Sequence, residues 1–149
     1  MNIIVERYEK IKSKIASVDS NKSAKIVAVS KTFALGHIQP LIDHGHIHFG
    51  ENKVQEADVK WSNIKKDNNN LKLHMIGRLQ SNKAKKAVEI FDYIHSVDNQ
   101  KLADILTKSQ NAVEKSINYF IQVNMGSEQQ KSGIAYNEVD AFYNYCTRE

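Results

Sequence analysis

Lys25-Ile26-Val27-Ala28-Val29-Ser30-Lys31-Thr32 is the stretch on which the fold turns. Four aliphatic residues in succession, without polar alternation, make the pattern of a short strand covered on both faces, and such strands belong to parallel sheets. A parallel neighbour can be reached only through a crossover. Downstream, Ile38, Leu41 and Ile42 supply the apolar stripe of a crossover helix, with Pro40 expected in its first turn and Gly45 at its C-terminus, where a left-handed residue is favoured. Residues 46–49 form the next strand. Upstream, Ile4, Tyr8, Ile11, Ile15 and Val18 recur at helical spacing and predict an amphipathic helix ending at Asp19-Ser20-Asn21.

The alternation continues to the end of the sequence. A helix over 52–66 turns Val54, Ala57, Trp61 and Ile64 inward, a polar Asp67-Asn68-Asn69-Asn70 loop follows, and 71–76 is a strand. Ser81 is placed to cap a helix burying Ala84, Ala87, Val88 and Phe91. After a strand at 93–97, Asp98 is placed to cap a helix carrying Leu102, Ile105 and Leu106. A fifth strand covers 119–123; beyond a loop with Gly126 and Gly133, the stripe Val139, Phe142, Tyr143 and Cys146 predicts a last helix. Strict β/α alternation means a parallel sheet with right-handed crossovers, either open and doubly wound or closed as a barrel. Strand starts near 25, 46, 71, 93 and 118 are about 23 residues apart, so eight units would need roughly 210 residues. Length decides little between the two; closed, the sheet would make a parallel (β/α) TIM-barrel-type α/β fold of which this chain holds about five of eight strands, in one domain over 1–149.

Composition removes several classes of function. At 149 residues with 41% hydrophobic and 26% charged content, the chain suits one soluble core. No apolar stretch approaches the ~20 residues of a membrane span or the ~7–15 of a secretory signal, so neither membrane nor export is expected and the place of action is the cytoplasm. A single cysteine, Cys146, forms no intrachain disulfide and no thiolate metal cluster. The net charge of +4 is not concentrated on one face; Ile, Lys and Asn make up 48 of the residues, so codon composition accounts for the basic balance. Lys83, Lys85 and Lys86 make a short basic run without interleaved aromatics, which reads as a solvated helix face and gives no nucleic-acid partner. The glycines form neither a dinucleotide fingerprint nor a P-loop.

In parallel α/β folds, ligands bind at the carboxyl ends of strands. The residues standing there are Ser30-Lys31-Thr32, Gly50-Glu51-Asn52, the stretch from Gly77 to Asn82, Asp98-Asn99, and the stretch from Asn124 to Glu128. Lys31 emerges directly from a buried strand, where partial desolvation favours a neutral, nucleophilic amine able to form an imine with an aldehyde. Position alone also fits a lysine that merely snorkels into solvent. His44, His46 and His48 form an H-x-H-x-H pattern, but at the wrong end of the second strand and without an acidic partner, so no metal is expected. His74 and His95 read as hydrogen-bonded histidines in or beside the core, and the tyrosines and Trp61 read as core.

Four segments carry a family resemblance. Ala28-Val29-Ser30-Lys31-Thr32, Phe49-Gly50-Glu51-Asn52-Lys53-Val54-Gln55-Glu56, the stretch His74 to Lys83, and Val123-Asn124 through Lys131-Ser132-Gly133-Ile134 resemble, in order and spacing, the pyridoxal phosphate homeostasis protein family. The resemblance implies the fold-type III barrel of alanine racemase, pyridoxal 5′-phosphate as cofactor, and a role in buffering and delivering it without robust catalysis. It implies Lys31 as the Schiff-base lysine, Asn52 beside the cofactor ring, and Lys83 and Lys131 near the pocket mouth. It further implies a monomer whose partners are the small cofactor and pyridoxal-phosphate-dependent apoenzymes. Family members continue through Ser-Met-Gly-Met-Ser-like and Val-Arg-Ile-Gly-like segments that hold the phosphate and approach the ring nitrogen, and neither is present here. The expectation is therefore an N-terminal portion of such a barrel, truncated or interrupted, with weakened cofactor binding and two open sheet edges that favour association. Two alternatives stay open: an amino-acid racemase, which would need a second acid–base residue, and a degenerate member that no longer holds the cofactor.

Overall fold

The computed structural model describes residues 2–126 and 132–148. Helix α1 (Ile3–Val18) starts on Asn2, whose side chain accepts the Ile4 N–H at 2.8 Å. Five βα steps follow. They comprise β1 (Ala28–Val29), α2 (Leu35–Asp43), β2 (His48–Glu51), α3 (Val54–Asp67), β3 (Lys72–Met75), α4 (Ala84–Ile90), β4 (Tyr93–Val97), α5 (Gln100–Asn111), β5 (Asn118–Ile121) and α6 (Val139–Thr147). Two short strands, β6 (Val123–Asn124) and β7 (Ile134–Ala135), stand between β5 and α6 and pair in parallel.

The main sheet has the order β1-β2-β3-β4-β5, parallel throughout. Each strand pairs with its predecessor in sequence, which is the arrangement of a barrel wall; a doubly wound sheet reverses direction at a switch point. The barrel is incomplete in this chain. Register and alternation separate two faces. Phe49, Leu73, Met75 and Ile94 share the outer face, where Phe49 meets Trp61 of α3 with ring centroids 4.9 Å apart. All five are essentially inaccessible and form the middle of the core together with Ala84, Ala87, Val88 and Phe91.

The inner face carries a ladder of imidazoles. His48 Nδ1 and His74 Nε2 lie 2.9 Å apart, and His74 Nδ1 and His95 Nε2 2.8 Å apart, so one N–H···N bond joins β2 to β3 and another joins β3 to β4. Tyr93 stacks on His74 and Phe120 on His95. Burial holds all three imidazoles below their ordinary range, and His74, the middle one, is lowered to about 4 by burial and then by its two histidine neighbours. His74 is thus a satisfied buried histidine, as its place within a strand implies.

Several local expectations are corrected. α2 starts at Leu35, so Pro40 is its sixth residue and lies in its interior; Gly45 does take a positive φ, +96°, just beyond its end. Asn99, not Asp98, caps α5, accepting the Leu102 N–H at 2.8 Å, while Asp98 accepts the Gly133 N–H at 3.0 Å and ties β4 to the start of β7. Ser81 opens a 3-10 turn and makes no side-chain cap. His46 is buried, bonded to Tyr8 Oη and to the His48 carbonyl, and His44 meets Glu9 at 2.8 Å, so both fasten α1 to the sheet side of α2. Tyr136 and Tyr143 are exposed instead of core. Among the described residues no helix is long and apolar enough to cross a membrane, and no group of three or more His, Cys, Asp or Glu is gathered to ligate a metal.

Candidate functional site

Ser30, at the end of β1, is wholly buried, and the chain turns sharply after it. The Phe33 N–H returns to the Ser30 carbonyl at 3.2 Å, and Thr32 sits at φ +66° in the left-handed region. Lys31 occupies the second place of that turn and is exposed. The desolvation expected for its amine is therefore absent. A β-branched residue in the left-handed region costs on the order of 1–2 kcal/mol, so the surroundings must hold the turn.

A buried charge network lies directly beneath it. Glu51, the last residue of β2, is 1% exposed, and Lys60 of α3 is 8% exposed. Lys60 Nζ donates to the Ser30 carbonyl at 2.7 Å and stands 2.6 Å from Glu51 Oε1. That oxygen has no hydrogen bond of good angle, so its partner is the ammonium charge itself. Ser30 Oγ is within 3.1 Å of Glu51 Oε2, and the Thr32 N–H donates to Glu56 Oε1 at 2.8 Å. Glu51 and Ser30 stand in segments quoted from the sequence, but nothing there assigned them to a network. Glu56 likewise closes a quoted segment without an assigned role, and Lys60 was missed entirely, although their i, i+4 spacing on a helix was a usable signal.

Beside this turn, at the carboxyl ends of β2 and β3, opens a cavity of about 750 Å³. Asn52, Glu56, Arg78, Gln80 and Lys83 line it, with Met75 and Leu79 as its apolar floor. The structure thus brings Asn52 and Lys83 together. Lys31 does not line the cavity, but Glu56 spans the gap, lining it and binding the peptide of Thr32. Lys131 lies outside the described residues. Asn52 Oδ1 is buried without a hydrogen-bond partner among the described residues. Gly77 permits this closeness: a Cβ there would stand 2.6 Å from the Asn52 carbonyl oxygen. A second cavity of about 760 Å³ lies between α5, α6 and β5; Asp140 is its one charged lining residue among the described residues, and no lysine or arginine lines it there.

An accessible primary amine, an orphaned amide oxygen and two cations, Arg78 and Lys83, make an arrangement suited to a small anionic carbonyl compound held by covalent and polar contacts together. A free buried acceptor such as Asn52 Oδ1 is costly unless a ligand or water satisfies it.

Comparisons with known proteins show what the whole chain is similar to. The family model described as alanine racemase, N-terminal domain, matches residues 4–149. The pyridoxal phosphate homeostasis proteins of Pasteurella multocida, Haemophilus influenzae and Escherichia coli are 40%, 36% and 35% identical over 78%, 93% and 94% of this chain. The chain spans 50%, 58% and 62% of their respective lengths. PipY of Synechococcus elongatus PCC7942, solved without and with PLP bound, superposes with TM-scores of 0.79 and 0.76 at 36% identity, over 93% of this chain and 65% and 64% of PipY.

Proposed function

This chain belongs to the family of the alanine racemase N-terminal domain, and from that membership we propose that it binds pyridoxal 5′-phosphate and serves intracellular homeostasis of that cofactor. The observation that carries the proposal is the exposed Lys31 amine at the tip of β1, beside a cavity lined by Asn52, Arg78 and Lys83. Bound there, the cofactor supplies an aldehyde that condenses reversibly with a primary amine, together with a phosphate dianion. Lys31 contributes the amine, Asn52 the unsatisfied oxygen near the ring, and Lys83 and Arg78 positive charge toward the anion. Lys131 belongs to the same proposal by its place in the sequence. PipY with PLP bound is the relative that supports the choice of ligand.

The role is to hold and release the cofactor without turnover, in the reducing cytoplasm, and to hand it to apoenzymes. Incubation with L-alanine and pyridoxal phosphate is expected to yield no D-alanine, and its appearance would make the chain a racemase instead. The direct test mixes chain and cofactor, reduces with borohydride and maps the label by mass spectrometry. Label concentrated on Lys31, and lost in Lys31→Ala, is expected; label scattered over the 18 lysines would overturn the proposal.

A further inference from the structure

We infer that Lys60, with Glu51 and Glu56, is a positioning device for the Lys31 amine: a buried ionic clamp that grips the two peptide groups flanking Lys31. The inference rests on the reading of Lys31 as the capturing amine. Both neighbours of Lys31 are held through their backbone by charged side chains of α3. On one side the Ser30 carbonyl accepts from Lys60 Nζ at 2.7 Å; on the other the Thr32 N–H donates to Glu56 Oε1 at 2.8 Å. The two grips are coupled, because Lys60 Nζ stands 3.6 Å from Glu56 Oε1 and 2.6 Å from Glu51 Oε1. The ammonium thus donates to one carbonyl and is paired by charge with two carboxylates.

Stability does not explain such a network. A buried ion pair is on average no better than apolar residues of the same volume, and is retained where it fixes one geometry. The geometry fixed here is a turn with a β-branched residue at φ +66°, which directs Lys31 out of the strand end. No described residue bonds the Lys31 ammonium, so the clamp sets the origin of the side chain and leaves its amine free.

The test compares the unaltered chain with Lys60→Met, Lys60→Arg and Glu56→Ala. It reads the initial rate of borohydride-trapped pyridoxal phosphate on Lys31, the share of label on other lysines, and hydrogen exchange of amides 32 and 33. Lys60→Met and Glu56→Ala are expected to slow Lys31 labelling about tenfold, as a misplaced reacting group does. They should also accelerate exchange of the Thr32 amide about tenfold or more. Lys60→Arg should recover most of both. Folded Met and Ala variants that label Lys31 at the unaltered rate would overturn the clamp, and so would an Arg variant as slow as Met. If Lys60→Met does not fold, Glu56→Ala carries the test, since Glu56 is one-third exposed. Failure of the unaltered chain to label Lys31 preferentially sinks the cofactor reading alone; the clamp is then decided by Thr32 exchange in Glu56→Ala, where unchanged protection overturns it.

Discussion

Single residues show how unevenly the site could be read from sequence. Lys31 was legible because the end of an apolar run fixes where a side chain leaves the sheet, and that depends on local order only. Asn52 and Lys83 were legible only through resemblance, since their meeting in one cavity depends on how β2 and β3 stand side by side. Lys60 was illegible because its partners, Ser30 and Glu51, are 30 and 9 positions away in sequence and meet it only after α3 packs on the sheet. Asn52 also permits a clean separation of binding from stability. Its Oδ1 makes no hydrogen bond among the described residues, so Asn52→Ala should change the unfolding free energy by less than about 1 kcal/mol in urea titrations. The same variant should bind pyridoxal phosphate several-fold more weakly by absorbance titration.

The elements were legible in kind and order because apolar periodicity is local, and they shifted at their ends for physical reasons. Only Ala28 and Val29 of the first apolar run find ladder partners, opposite Phe49 and Gly50, so β1 is two residues long. β6 and β7 escaped notice because two-residue strands have no period to detect. The imidazole ladder across β2, β3 and β4 makes its own prediction. His74 titrates near 4 when folded against an ordinary 6.5, so the unfolded chain takes up its proton first. Its contribution is complete above about pH 6.5 and is lost as the pH falls toward 4. Each pH unit is about 1.4 kcal/mol of differential binding; discounted for the open side of the wall, the loss is on the order of 2 kcal/mol. Urea unfolding at stepped pH should show that decline, flattened in His74→Phe, while a flat profile in the unaltered chain would refute it.

At the scale of the molecule, alternation established the parallel sheet, but sequential strand order, which distinguishes barrel wall from doubly wound sheet, was supplied by the structure. The wall leaves Val29 and Phe120 of the inner face about half exposed, and Tyr143 more than half exposed at the far side of β5. These apolar groups and the outer edges of β1 and β5, unpaired among the described residues, should drive association of this 149-residue chain. Light scattering behind size-exclusion chromatography should give a mass that rises with concentration; a constant monomer mass from micromolar to hundreds of micromolar would contradict it. The neighbour-to-neighbour strand order also has a consequence for biosynthesis. In the main sheet each strand after β1 pairs with the strand synthesised just before it, so the wall grows in the order in which a ribosome releases it. No part waits for a distant partner, and each emerging βα unit lands on a template already in place.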